Sequence, residues 1–481
     1  MKNERARAGF QAGALVLALA LAGCASPSGI ASKAQPRDGA SIGIAAGAQA
    51  PAVAAQWWKD YGDPALDQLV GQALAGSPAL KVAQARLARA QAVTEVADAA
   101  RLPQVTGSLD LTRQQYTANG AVPPSLAGAI RSSGTLQLGA SWELDFFSKN
   151  QAALDAALGT ARAAQADADA ARVLLAGNAV RGYVQLARIL DQLAVARRQL
   201  AQREAQLGLV RDRVRAGLDT ALELRQSEGA LPEARQQIAA LQEQATLARN
   251  ALAALAGAPP AFTAALAPTL ADLRLPATAG VIPADLLGRR ADIAAARWRV
   301  EAASRDLSSA RAQFYPNINL VAFAGLSSIG LGRLVSGGSE QWGVGPAVRL
   351  PIFDAGRLRA NLRGKASDLD AAVESYNGAI VDGVREVADQ LASAQALASQ
   401  QSLQREAQAA AEAAYQIALQ RYQAGLGNYL NVLAAENGVL SQRRLGVDLA
   451  ARALEAHAGL ARALGGGWQG DAPAALASSS H

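Results

Sequence analysis

A chain of 481 residues carries 46 Lys and Arg against 40 Asp and Glu, a formal charge of +6. Both signs are interspersed without a basic block, which argues against a nucleic-acid partner. Hydrophobic residues reach 51% and aromatic ones only 4%, with alanine filling much of the difference, so long, closely packed helices fit better than a thick aromatic core. One cysteine excludes an intrachain disulfide, and two histidines, His457 and His481, leave few ligands for a metal site.

In chain order, residues 1–23 come first. Met1–Arg7 carries three cations, Ala12–Leu21 is almost wholly apolar, and Leu21-Ala22-Gly23-Cys24 follows. This pattern is a signal peptide, with an apolar part too short to span a membrane. A linker over residues 24–55, rich in Ala, Gly, Ser and Pro, leads to Trp57-Trp58. No later stretch reaches about 18 uninterrupted apolar residues, so a membrane crossing would have to use strands.

From there the chain repeats itself. Ala97–Val105, centred on Pro103, is matched by Ala310–Ile318, centred on Pro316. Trp142–Phe147 is matched by Val348–Phe353, and Arg213-Val214-Arg215-Ala216-Gly217-Leu218 by Arg421-Tyr422-Gln423-Ala424-Gly425-Leu426. Order and spacing are kept at all three places. The domain boundaries read as a first repeat over 56–282, a second over 283–468 and a tail over 469–481.

Each repeat is predicted to run helix, two strands, long helix, turn, long helix. Leu186, Leu193, Leu200, Leu207 and Val214 fall seven apart, as do Leu224, Leu231, Ile238, Ala245 and Leu252. That period implies left-handed coiled-coil packing. A helix from about Asn150 to Arg215 would measure about 100 Å. Gly217 and Gly425 stand where these helices should end, and Asp219 or Thr220 and Asn428 are placed to cap the returning helices.

The strand segments alternate with period two. Val105, Gly107, Leu109 and Leu111 oppose Thr106, Ser108, Asp110 and Thr112. Leu136, Leu138, Ala140, Trp142, Leu144 and Phe146 oppose Gln137, Gly139, Ser141, Glu143 and Asp145. The fourth segment, Trp342 to Leu350, follows suit. The third, Asn317–Gly325, is the weakest, with Val321 and Phe323 on its nominally polar side. Such alternation fits a membrane barrel with a wet interior or a half-buried soluble sheet. Single-chain barrels need roughly 8 strands or more, so four strands would close only with other copies, and periodicity does not choose between two and three.

The combination resembles the TolC-like outer-membrane efflux family, in its lipoprotein (NodT-like) branch. The resemblance rests on Trp57-Trp58, Trp142-Glu143-Leu144-Asp145, Leu350–Arg357, Arg385-Glu386-Val387-Ala388-Asp389, Arg421–Gly425 and Ala463–Trp468. It covers about Gln56 to Trp468. It departs at Phe147-Ser148-Lys149, where the family more often has a glycine before the basic residue. Leu21-Ala22-Gly23-Cys24 resembles a lipobox, implying a covalent lipid on Cys24 and no other cofactor; Ala25 looks like an outer-membrane sorting signal.

The resemblance implies a mostly α fold with a membrane β-barrel: a trimer with a 12-strand barrel and an α-helical periplasmic barrel. The implied function is a passive exit duct of a tripartite pump, working with a periplasmic adaptor (membrane fusion) protein and an inner-membrane RND-type pump. The tips at Gly217, Leu218, Gly425 and Leu426 would meet the adaptor. Asp389 is the aperture candidate by its motif, against the plainer reading of a solvated helix face.

Other classes compete. The adaptor itself is also a periplasmic lipoprotein with a helical hairpin, but the chain has two hairpins, each preceded by strands. A coiled-coil scaffold leaves the strands unexplained. For an enzyme there is no nucleophile–base pair or metal cluster in the sequence, and Gly465-Gly466-Gly467 precedes no Lys-Ser/Thr helix. Glu143 and Asp145, two apart on one strand, could mimic a carboxylate pair, but pore lining or rim solvation is the simpler role.

Overall fold

The computed structural model describes residues 26–37, 53–276, 286–468 and 470. Cys24, the leader and the end of the tail lie outside the described residues. A 3-10 turn at Trp57–Tyr61 opens the folded part. Helices α1 (Pro64–Gly76) and α2 (Pro78–Ala99) precede strands β1 (Gln104–Gln115) and β2 (Ile130–Leu144), then helices α3 (Lys149–Arg215) and α4 (Ala221–Leu255). A one-turn helix at Leu286–Arg289 leads to α5 (Ala291–Ala312), strands β3 (Asn317–Ile329) and β4 (Glu340–Arg349), and helices α6 (Arg357–Gln423) and α7 (Tyr429–Ala463).

The duplication is metrical. Helices α3 and α6 both have 67 residues, α4 and α7 both 35, and α2 and α5 both 22. Equal lengths extend the repeat through whole helices, beyond the three matched motifs. By contacts the chain forms two compact units. One comprises Met1–Pro36, Leu87–Ala164 and Ala296–Tyr376; the other comprises Arg37–Arg86, Gln165–Ala295 and Asn377–His481.

The first unit holds one antiparallel four-stranded sheet in the order β1-β2-β3-β4. Gly107, Leu138, Ala324 and Trp342 form one cross-strand row, and Thr106, Gly139, Phe323 and Gly343 form the next. Because successive side chains point to opposite faces, the first row marks an apolar face and the second a polar one. Phe323, out of place by pattern, lies over Gly343: a Cβ there would sit 2.6 Å from its ring. Val321 is likewise registered to Gly345. The missing side chain at Gly343 makes room for the Phe323 ring, and a large ring covering a strand glycine shields bare backbone; a Cβ at Gly345 would meet open space, so Val321 needs no such room.

Two strand ends fall short of the sequence pattern. Strand β2 stops at Leu144, so Asp145 and Phe146 belong to the following turn, and β4 stops at Arg349, before Leu350. Alternation continues in the sequence after the chain has left the ladder. The turn contains Ser148 at φ 57, a left-handed conformation that glycine takes without cost. This is the position at which the family resemblance implied a glycine.

The second unit is helical with its own core. Trp57, Trp58 and Tyr61 pack with Leu66, Leu69 and Val70 of α1, Leu186 and Leu193 of α3, Leu252 of α4 and Leu454 of α7. Each large side chain buried this way contributes roughly 1.5–3 kcal/mol. None of the ten heptad positions is exposed. Helix α4 runs through Pro232 without a break, although proline removes one backbone donor. Thr220 caps α4 with a full capping box: its hydroxyl accepts from Leu222 N at 3.2 Å, and Glu223 accepts from Thr220 N at 2.9 Å. Asp219, the other cap candidate, is engaged elsewhere. Asn428 Oδ1 accepts from Asn431 N at 3.1 Å and caps α7.

Candidate functional site: an outward apolar sheet and two glycine turns

Two features stand apart from ordinary packing, one in each unit. In the sheet, the apolar face is uncovered. Leu138 is 63% exposed and Trp342 77%, with Val105, Leu109, Leu136, Val344 and Val348 also exposed. A soluble protein rarely shows so large a contiguous apolar surface. The opposite face is polar: Thr135 Oγ1 and Ser327 Oγ lie 3.2 Å apart, and Gln341 Nε2 donates to Gln137 Oε1 at 3.3 Å. Strands of 10 to 15 residues reach or exceed the roughly 9–11 that a tilted spanning strand needs. At the strand–helix junctions Phe146, Phe147, Tyr315 and Phe353 are exposed, and Phe147 stacks on Tyr315 at 4.8 Å. Aromatic rings gather in this way at membrane–water interfaces.

The sheet also dismantles the mock carboxylate pair. Glu143 is ion-paired to Lys149 at 2.5 Å, whereas Asp145 accepts from Gln151 N at 2.7 Å and caps α3. Among the described residues no group of three or more potential metal-ligating side chains forms. No helix there is long and apolar enough to cross a membrane.

In the helical unit, the turns at Gly217 and Gly425 are near copies. Both glycines have left-handed φ, 71 and 73. Leu218 N donates to Arg213 O at 2.9 Å and Gly217 N to Val214 O at 3.0 Å; Leu426 N and Gly425 N repeat this on Arg421 O and Tyr422 O at 2.8 and 3.0 Å. Both are Schellman endings. Leu218 and Leu426, next to the glycines, are exposed, as are Leu222 and Leu430.

One asymmetry ties the two turns together. Arg213 is ion-paired with Asp219 at 3.0 Å, and the Tyr422 hydroxyl donates to the same carboxylate. The Arg213 guanidinium also lies 4.5 Å over the Tyr422 ring. The hydrogen bond that Arg213 donates to Asp219 raises the Arg213 pKa, and burial pushes the Tyr422 phenol up. The equivalent positions in the other copy are Gly427 and Val214, so the link exists once.

Deeper in the helices, Arg203 and Glu436 are buried, with Arg203 Nε 3.4 Å from the carboxylate. Arg203 also donates to Ala230 O at 3.0 Å and Asn437 Oδ1 at 3.3 Å. Burial pushes the Glu436 carboxyl up against the pull of Arg203. This pair is 233 positions apart and escaped the sequence reading; no local pattern separates it from solvated charges. Asp389 is exposed and bonded to Arg385 at 2.9 Å, so the chain alone gives it a solvated helix face.

Comparison with known proteins agrees with these features. A family model described as outer membrane efflux protein matches residues 69–258 and 282–466. The fusaric acid resistance protein FusA of Burkholderia cepacia is 40% identical over 364 residues, covering 72% of this chain and 67% of that protein. Outer membrane protein OprJ of Pseudomonas aeruginosa is 33% identical over 466 residues, 95% and 96% of the two chains. The crystal structure of the outer membrane protein VceC of Vibrio cholerae superposes with TM-score 0.81 at 36% identity, covering 86% of this chain and all of that one. With both repeats matched and the fold shared, the chain belongs to the outer membrane efflux protein family and is an outer-membrane channel component of an efflux system.

Proposed function

We propose that three copies join their sheets into one 12-strand barrel and act as the passive exit duct of a tripartite pump. The carrying observation is a four-stranded sheet with an outward apolar face and two free edges, β1 and β4. In lipid, unpaired backbone groups at an edge find no water and cost several kcal/mol each, so only closed barrels are stable. Two copies would supply eight strands; three is the number that the family resemblance implies. Native mass spectrometry in detergent should give a mass of three chains, and planar bilayers should show stepwise conductance. A monomer or dimer as the membrane form would sink this reading.

The remaining roles follow from that assembly. Residues 56–282 and 283–468 are its two repeats. Cys24 carries the lipid anchor, and the duct needs no other cofactor and performs no catalytic step. The turns at Gly217, Leu218, Gly425 and Leu426 dock the periplasmic adaptor, which couples the duct to an inner-membrane RND-type pump. The exposed leucines beside paired glycine turns support this, since an apolar tip in water favours a partner. Cysteines at Leu218 or Leu426 should crosslink to an adaptor in cells; crosslinks solely to outer-membrane proteins would refute it. Asp389 narrows the aperture, so Asp389→Ala should raise single-channel conductance. The name of FusA, a fusaric acid resistance protein, supports small-molecule cargo, selected upstream by the pump.

A further inference from the structure

Residues 26–34 do not hang free. Asp370, on α6, accepts three hydrogen bonds from them: Ser32 Oγ at 2.6 Å, Lys33 N at 2.7 Å and Ala34 N at 2.9 Å. These bonds hold the Asp370 carboxyl below its ordinary range, the one from Ala34 N foremost. Upstream, Ile30 packs on the cluster of Leu307, Phe314, Leu358 and Leu362. The Ser26 carbonyl accepts from Arg359, the third residue of α6. From Arg359 to Asp370 the helix rises about 16 Å, a span that seven residues of chain cover easily. The segment therefore runs alongside α6 with its N-terminal end at the strand–helix junction, beside Phe314 and near the exposed aromatic residues.

We infer that Asp370 is a positioning residue for the lipid anchor: by gripping Ser32–Ala34 it keeps the attachment point at the level of the strand ends. Cys24 is two residues from Ser26, a reach of at most roughly 7 Å. Acyl chains starting there enter the bilayer at the depth where the sheet meets its aromatic boundary, so anchor and barrel insert in register. The inference rests on the reading of Cys24 as the lipidated residue.

The test uses the full-length protein and two readouts. In detergent, trypsin should cut Lys33–Ala34 slowly in the wild type and at least tenfold faster in Asp370→Ala, with Asp370→Asn between them because it keeps the accepting Oδ1 but loses the carboxylate charge. Asp368→Ala, whose carboxylate faces Lys365 at 3.7 Å, should behave as wild type. In cells, Asp370→Ala should at least halve the assembled membrane fraction. A four-residue Gly-Ser insertion between Ala25 and Ser26 should do the same while leaving the cleavage rate unchanged, because it moves the anchor without touching the clamp. Equal cleavage of wild type and Asp370→Ala would overturn the clamp. Wild-type assembly by both Asp370→Ala and the insertion variant would overturn the positioning role. An unmodified Cys24 by mass spectrometry would remove the anchor itself, with the cleavage result still standing, so the two failures are told apart.

Discussion

The two units sort the same kind of side chain in opposite directions. In the helical unit Leu186, Val184 and Leu252 are almost wholly buried, while in the sheet Leu138 and Trp342 are more than half exposed. Helices packed in water bury their apolar stripe, because that removes apolar area from solvent. A sheet whose solvent is lipid does the reverse, placing its apolar side chains outward and its Thr, Gln and Glu residues on the wet side. Composition alone therefore says little about either region; the sense of burial separates them. It follows that the helical unit should fear buried charge at its centre, and the sheet should fear charge on its outside.

The largest effect is expected at the buried pair. Arg203→Met leaves Glu436 without its counter-ion in a site that already disfavours the carboxylate. Breaking a buried pair from one side costs about 3–5 kcal/mol. Combining Arg203→Met with Glu436→Leu should recover most of that loss, since no unpaired charge remains. Thermal unfolding of the detergent-solubilised protein reads both, and a double variant no better than the single one would show that packing around Arg203 matters more than charge. Next comes the sheet. Leu138→Arg should cost roughly 2–4 kcal/mol where it meets the bilayer midplane, and Gln137→Arg, one position along on the other face, far less. The yield of assembled membrane protein measures this, and equal tolerance at the two positions would erase the contrast between the units.

How much of this was legible in the sequence differs between the same regions. Heptads and the glycines ending them were readable because a coiled coil repeats its burial every seven residues and a Schellman turn needs one left-handed residue. Three of the four strands were readable because one wet face alternates with one dry face. The third strand misled, since Phe323 sits on the wet face over Gly343 and Val321 is registered to Gly345, relations 20 and 24 positions away. Strand ends misled for another reason: Phe146 keeps the alternation although the ladder has already ended at Leu144. Arg203–Glu436, Tyr422–Asp219 and Asp370 with Ser32–Ala34 are contacts across more than 200 positions. No local period encodes them, and each partner alone reads as an ordinary surface group.

A smaller, pH-dependent effect belongs to the helical unit. The Tyr61 hydroxyl donates to Leu454 O at 3.0 Å and lies 2.9 Å from His457 Nδ1. Burial lowers the His457 pKa from the model-peptide value of 6.5, with Asp60 pulling weakly the other way. A lowered folded value means that the unfolded chain takes up the proton first as pH falls. The contribution is thus fully present above about pH 6.5 and is lost as pH drops through the folded value. The protection of the Trp57–Tyr61 amides, relative to their intrinsic exchange rate at each pH, should fall as pH drops from 7.5 to 5, and His457→Gln should flatten that dependence. An unchanged pH profile in the variant would assign the acid sensitivity to other groups.

The smallest expected change is a gain, in the turn that ends the sheet's second strand. Ser148 holds φ 57, and its amide still donates to Asp145 O at 3.2 Å while its carbonyl accepts from Ala152 N at 2.9 Å. The conformation is therefore required by the turn and by the first bonds of α3, and serine bears its steric cost. The second copy meets the same need with Ala355 at φ 54 followed by Gly356 at φ 84, so strain at this junction is shared by both repeats. A left-handed L-residue costs about 1–2 kcal/mol relative to a permissive one, and part of that gain is offset by the greater freedom of glycine in the unfolded chain. Ser148→Gly should then stabilise by about 0.5–1 kcal/mol, read as a small rise in melting temperature with conductance unchanged. Ser148→Val, branched at Cβ, should move it the other way. If Ser148→Gly destabilises instead, the serine side chain must hold the turn through an interaction worth more than its strain.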